Sequence, residues 1–202
     1  MNYLIYGLLI LLGYLYGSIP FALVIGKLFY NVDIRNSGSG NLGGTNAGRV
    51  LGKKAGVAVI ILDASKCIIT MALAKIIAVN LYLNTDIVYY TALACVFGHC
   101  YPIFANFRGG KAVSTAMGFI LMVDWKTALI ALAFFFVILK ISKYVSLASI
   151  MASTSVLIAS PFLNYSINVI IAASGIIFLL VYKHKENIIR IKNGTERKIT
   201  WM

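Results

Sequence analysis

Acidic groups are scarce in this chain: 6 Asp and Glu stand against 18 Lys and Arg in 202 residues, and only 12% of positions are charged. A soluble domain carries roughly a quarter charged residues, so an ordinary soluble fold is excluded. Cysteine is scarce too. Cys67, Cys95 and Cys100 are odd in number and fit no Cys-x-x-Cys spacing, which excludes a disulfide framework and a zinc site. They read as small apolar helix residues. With two histidines and no clustered carboxylates, no metal site is expected. The sequence also lacks a Gly-x-Ser-x-Gly elbow and a His-Glu-x-x-His helix. Period-two alternation is missing, which excludes a membrane barrel. The start, Met1-Asn2-Tyr3 running into Leu4, has no basic n-region, so the first apolar segment is expected to be retained rather than cleaved.

Long apolar runs are abundant. Hydrophobic residues make up 60% of the chain, and runs near 20 residues recur, each able to cross a hydrocarbon core of about 30 Å. Seven segments are predicted, at 4–29, 55–80, 86–104, 112–123, 126–141, 145–161 and 165–182. The chain therefore reads as an all-α polytopic membrane protein with seven transmembrane helices, one integral-membrane domain over 1–202. Pro20, preceded by Ser18, should kink the first span. The fourth run is short, suited to a tilted or partly inserted helix. Pro102 and Pro161 fall near segment ends.

The net charge of +12 would suggest nucleic acid in a soluble protein, but its distribution has another cause. Arg35, Arg49, Lys53 and Lys54 lie in 31–54, Arg108 and Lys111 in 105–111, Lys140 and Lys143 in the next polar turn, and six more in the tail. The connections at 81–85, 124–125 and 162–164 carry none. Basic loops stay cytoplasmic, so the N-terminus is expected outside and the C-terminus inside. Nucleic acid is not an expected partner; membrane lipid is. Asp63 and Lys66, at i, i+3 within the second span, read as an ion pair near its cytoplasmic end.

Four polar stretches then fall on one face. The first, 36–49, holds five glycines, three hydroxyls, three asparagines and Arg49, with no acid. Glycine lets backbone N–H groups approach a ligand, successive N–H groups make an anion-binding concavity, and the guanidinium suits phosphate. A flexible Gly/Ser linker would not carry Asn and Arg at this density. Gly38-x-Gly40-x-x-Gly43 matches the dinucleotide fingerprint, but a membrane-type segment precedes it where that motif needs a strand. The second stretch runs from Gly98-His99 to Gly109-Gly110-Lys111, where glycines deliver a lysine to a helix start. It is no Walker A loop, since Ala105 and Ala112 stand where Gly and Ser or Thr belong. His99 there is as readily structural as functional. The third is the turn around Ser146. The fourth is the tail, in which His184, Asn187 and Arg190 share a helix face at i, i+3 spacing. Basic interface loops attracted to anionic lipid would explain part of this, though not the glycines.

Three motifs carry a family resemblance. They are Gly38-Ser39-Gly40-Asn41-x-Gly43-x-Thr45-Asn46-x-x-Arg49-x-x-Gly52; Gly98-His99-x-x-Pro102-x-Phe104-x-x-Phe107-x-Gly109-Gly110-Lys111; and His184-x-x-Asn187-x-x-Arg190-x-x-x-Gly194-x-Glu196. In length, span count and motif order the chain resembles the bacterial membrane acylphosphate:glycerol-3-phosphate acyltransferases. Ser114 departs mildly, where a small apolar residue is expected. The His-x-x-x-x-Asp pair of the soluble-type glycerolipid acyltransferases is absent: Phe104 follows His99 and Ile189 follows His184 at the fifth place.

The resemblance implies a multi-pass protein of the bacterial inner membrane with its site on the cytoplasmic face. Acyl phosphate would donate to the first hydroxyl of glycerol-3-phosphate, giving 1-acylglycerol-3-phosphate and phosphate. No cofactor and no obligate protein partner are implied. Catalytic roles would fall on Ser37, Lys111, His184 and Asn187. Substrate contacts would fall on Ser39, Gly40, Asn41, Thr45, Asn46, Arg49, His99, Gly109, Gly110, Ser146, Arg190 and Glu196. Two phosphate-bearing substrates account for two Gly-rich basic clusters, and an acyl phosphate is already activated, so no protein nucleophile is needed. The alternative is a small anion or phosphate transporter, which would place ionisable groups near mid-membrane; only Asp63, Lys66 and Lys75 offer that.

Overall fold

In lipid, every peptide group must find its partner within the protein. Helices meet this requirement throughout, and the computed structural model, which describes residues 2–200, contains no strand among them. Helices α1 (Asn2–Gly17) and α2 (Phe21–Tyr30) form one apolar stretch of 29 residues, broken at Ser18–Pro20. Pro20 brings no N–H, so carbonyls at the break need other donors. The Lys66 ammonium supplies them, donating to Gly17 O at 3.1 Å and Ile19 O at 2.8 Å. The expected kink is there, capped by a side chain from another span.

A loop leads to the short α3 (Gly44–Val50), then to α4 (Lys53–Asn80), α5 (Ile87–Cys100), α6 (Val113–Val123), α7 (Trp125–Ser142), α8 (Val145–Ala159) and α9 (Ile167–Lys183). The last helix, α10 (Lys185–Lys192), leaves α9 at 51°. All seven apolar segments read from the sequence are helical. Five stretches are long and apolar enough to cross a membrane, or six if α9 and α10 count as one broken span. The 11 residues of α6 rise only about 16 Å, well short of a bilayer core.

With no hydrophobic effect to drive helices together inside lipid, close backbone approach becomes the means of packing, and glycine permits it. A Cβ on Gly17 or Gly98 would run into the α5 or α1 backbone, at Cys95 O and Tyr14 O respectively. The same holds between α3 and α4, where a Cβ on Gly56 would sit 2.6 Å from Gly48 Cα. These seams lay α3 and its preceding loop against α4. Cys67, Cys95 and Cys100 are free, buried and part of the apolar core, as small helix residues should be. Outward-facing side chains such as Ile61, Leu73, Ile130 and Phe178 stay exposed for contact with lipid.

Candidate functional site

The polar stretches meet around one cavity of about 660 Å³. The Gly-rich loop reaches it along a backbone only glycine takes readily: Gly38 has φ +64° and Gly40 φ +67°. Before the loop, Arg35 grips Asp33 at 2.6 and 2.9 Å, pinning a single 3₁₀ turn over Ile34–Asn36. Asn46 braces the loop from within: its Oδ1 accepts from Ser39 N at 2.8 Å, and its Nδ2 donates to Ser37 O at 3.1 Å. Ser39, Asn41, Thr45 and Arg49 line the cavity from this side.

The second stretch docks on the first. Asn41 Nδ2 donates to Gly109 O at 3.1 Å across 68 residues. Gly110 N donates to His99 O at 3.0 Å, and a Cβ on Gly110 would strike the His99 ring. Here the glycines serve close packing against the end of α5. Neither Gly109 nor Gly110 lines the cavity, whereas Lys111 and His99 do.

The tail closes the ring. Lys111 Nζ donates to Asn187 Oδ1 at 2.5 Å, and Asn187 Nδ2 donates to Glu196 Oε1 at 2.6 Å. That carboxylate also accepts from Ser146 Oγ at 2.7 Å and Arg190 Nε at 2.8 Å. Burial opposes charge on Glu196, but hydrogen bonds from Asn187, Arg190 and Ser146 outweigh it and hold the carboxyl below its ordinary value. Burial, then the nearby Arg190 charge, lowers the Lys111 ammonium. Burial, then Arg197, does the same to Arg49.

His184 sits at the elbow between α9 and α10. Its Nδ1 lies 2.7 Å from Leu180 O and must donate there, which leaves Nε2 as the acceptor of the neutral ring. Burial pushes the imidazole down to about 4, so it is neutral at physiological pH.

Similarity to known proteins now decides the family. The glycerol-3-phosphate acyltransferase model matches residues 7–194. The chain belongs to that family. It is 46% identical over 197 residues to a glycerol-3-phosphate acyltransferase of Listeria monocytogenes serotype 4a (strain HCC23), covering 96% of this chain and 97% of the relative. It is 42% identical over 194 residues to one from Geobacillus kaustophilus (strain HTA426), covering 96% of each. Two crystal structures of PlsY, an integral membrane glycerol 3-phosphate acyltransferase, superpose closely. The glycerol 3-phosphate form gives a TM-score of 0.88 at 41% identity, covering 96% of both chains. The lysophosphatidic acid form gives 0.87 at 40%, covering 96% of this chain and 95% of that one.

Within this acyltransferase, the side chains brought to the cavity are Ser39, Asn41, Thr45, Asn46, Arg49, His99, Lys111, Ser146, His184, Asn187, Arg190 and Glu196. Ser37 and Gly40 join Gly109 and Gly110 among the predicted residues that do not line it. The Ser37 carbonyl is taken by Asn46 and by Gly40 N. Sequence reasoning missed Thr195 and Arg197, which flank Glu196 at the mouth, and the apolar half formed by residues such as Met117, Ile120, Phe135 and Ile177. An apolar residue facing a cavity looks the same in sequence as one facing lipid.

Proposed function

We propose that this acyltransferase moves a fatty acyl group from acyl phosphate to the first hydroxyl of glycerol-3-phosphate, as the relatives' names imply for the acceptor. The observation that carries the reading is the mixed lining of a single cavity. Arg49, Lys111 and Arg190 line it together with apolar side chains including Phe135 and Ile177. A phosphate ester bearing a hydrocarbon tail needs both.

In this reading Arg49 and the Ser39–Thr45 side chains hold one phosphate, and Lys111 completes that pocket as a point charge. Ser37 and Gly40 support it through the loop backbone. His184 and Asn187 orient glycerol-3-phosphate, and Ser146 holds Glu196 in place. The hydroxyl oxygen attacks the acyl carbonyl carbon, the bond from that carbon to the phosphate oxygen breaks, and phosphate departs with the electron pair. Positioning and charge stabilisation supply the rate, since the donor is already an activated anhydride. The hydroxyl proton passes to a substrate phosphate, whose second pKa of about 6 makes it a better base than an imidazole held near 4. His184 Nε2 then serves as the acceptor that aims the hydroxyl.

The site opens on the cytoplasmic side of a bacterial inner membrane, with seven helical segments, the N-terminus outside and the C-terminus inside. The distribution of basic loops supports this orientation. The deciding assay mixes purified protein with palmitoyl phosphate and glycerol-3-phosphate in lipid, beside an acyl-CoA control. Product from acyl phosphate alone is expected. Product from acyl-CoA alone, or transport of phosphate with no acyl product, overturns the proposal.

A further inference from the structure

Behind the cavity, buried polar groups from three spans meet at Lys66. Asp63 and Lys66 are each 1% exposed. Lys66 Nζ lies 2.9 Å from Asp63 Oδ1 and 3.4 Å from His99 Nδ1, while it donates to the Gly17 and Ile19 carbonyls. Asp63 Oδ1 is also 3.6 Å from His99 Nδ1. A charged pair inside a span is costly and persists where it serves function or fixes one arrangement.

Capping a broken helix does not explain this set. The two carbonyls need only neutral donors, as Phe21 N already is to Ile19 O at 3.1 Å, and neither Asp63 nor His99 would be required. What the pair does touch is the far side of the site. One edge of the His99 ring faces Lys66 and Asp63; the other lies against Gly110, whose hypothetical Cβ would come 2.5 Å from His99 Cε1. Gly110 is followed directly by Lys111, and Gly109 O holds Asn41 of the first loop. The carbonyls that Lys66 holds belong to the elbow ahead of α2, from whose end the Gly-rich loop runs.

We propose that Lys66, held by Asp63, is a positioning residue for the acyl-transfer site: it sets the His99 ring, and through it the Gly109–Gly110 turn and the aim of Lys111, while fixing the elbow that carries the Gly-rich loop. This rests on the acyltransferase reading for its kinetic consequence, and on geometry alone for its effect on substrate binding.

The test compares wild type with Lys66→Met and with the neutral pair Asp63→Asn/Lys66→Met, purified in lipid. The double variant removes the stranded carboxylate that would unfold the single one. Thermal melting checks folding, calorimetry measures glycerol-3-phosphate affinity, and turnover separates kcat from KM. The neutral pair should fold, bind glycerol-3-phosphate about tenfold more weakly and show a KM raised to match, the scale of one weakened charge-assisted hydrogen bond. Its kcat should fall as well, by less than in Lys111→Ala, because the aim of Lys111 is loosened while its charge remains. Affinity and KM within twofold of wild type in a folded double variant overturn the proposal. So does failure of the double variant to fold, which would make the pair a folding element. If wild type binds glycerol-3-phosphate yet gives no product from acyl phosphate, the donor assignment fails while the affinity comparison still judges the pair.

Discussion

Lys111 shows what one side chain does here. Its ammonium is partly desolvated and held 2.5 Å from the Asn187 carbonyl oxygen, so it is aimed before any substrate arrives. Preaimed charge in a dry site is worth more than the same charge in water. Lys111→Ala should lower kcat/KM by about 10²-fold or more, with expression and melting temperature near wild type; radiolabelled acyl transfer in purified membranes measures it. His184 makes the opposite case. Its folded pKa near 4 lies below the ordinary 6.5. The neutral ring therefore stabilises the fold fully above pH 6.5, and that contribution is lost as pH falls toward 4. His184→Asn should flatten this acid sensitivity in thermal melts. If the substrate phosphate is the base, the variant should keep the same acidic limb in its rate profile, near pH 6, at a lower plateau. Loss of that limb would return the base role to the histidine.

Among the elements, the tail after α10 is held largely by charge. Glu196 joins Ser146, Asn187 and Arg190, and Ile199 N donates to Lys143 O at 2.9 Å, so the segment straps back over the α7–α8 turn. Because the folded Glu196 pKa is depressed from 4.5, this strap is at full strength above about pH 4.5 and weakens as pH falls below it. Protection of residues 193–200 from hydrogen exchange, taken relative to the intrinsic rate at each pH, should fall in acid, and Glu196→Gln should show the same loss at neutral pH. The long elements were legible in the sequence because an apolar run of span length has one use; the Pro20 break and the shortness of α6 followed from residue type and length. The strap was not legible. Ser146 and Glu196 are 50 residues apart, and no periodicity links them.

Across the molecule, the site depends on separated stretches sharing one side of the bilayer. The reading of charged loops anticipated that they gather, and the bonds Asn41–Gly109 and Lys111–Asn187 join them. Single cysteines at Ser39, Arg108 and Thr195 should all react with a membrane-impermeant maleimide from the inner face only, and one at Asn84 from the outer face. Labelling split between the faces would separate the pieces of the site. The glycines of the second cluster were the least legible part. Residue type suggested N–H groups offered to phosphate, but Gly110 turns its N–H to His99 and its bare Cα to the ring. Sequence alone cannot distinguish a glycine that meets a ligand from one that meets its own chain.

The Pro20 elbow has a further consequence for which parts of the chain can move. An unsatisfied break in a helix is a natural pivot, but here the Gly17 and Ile19 carbonyls are both tied to an ammonium from a neighbouring span. That elbow, which lies behind the chamber and does not line it, is a fixed post. At the cavity itself, α10 and its strap are fastened by side chains whose partners an arriving phosphate can replace.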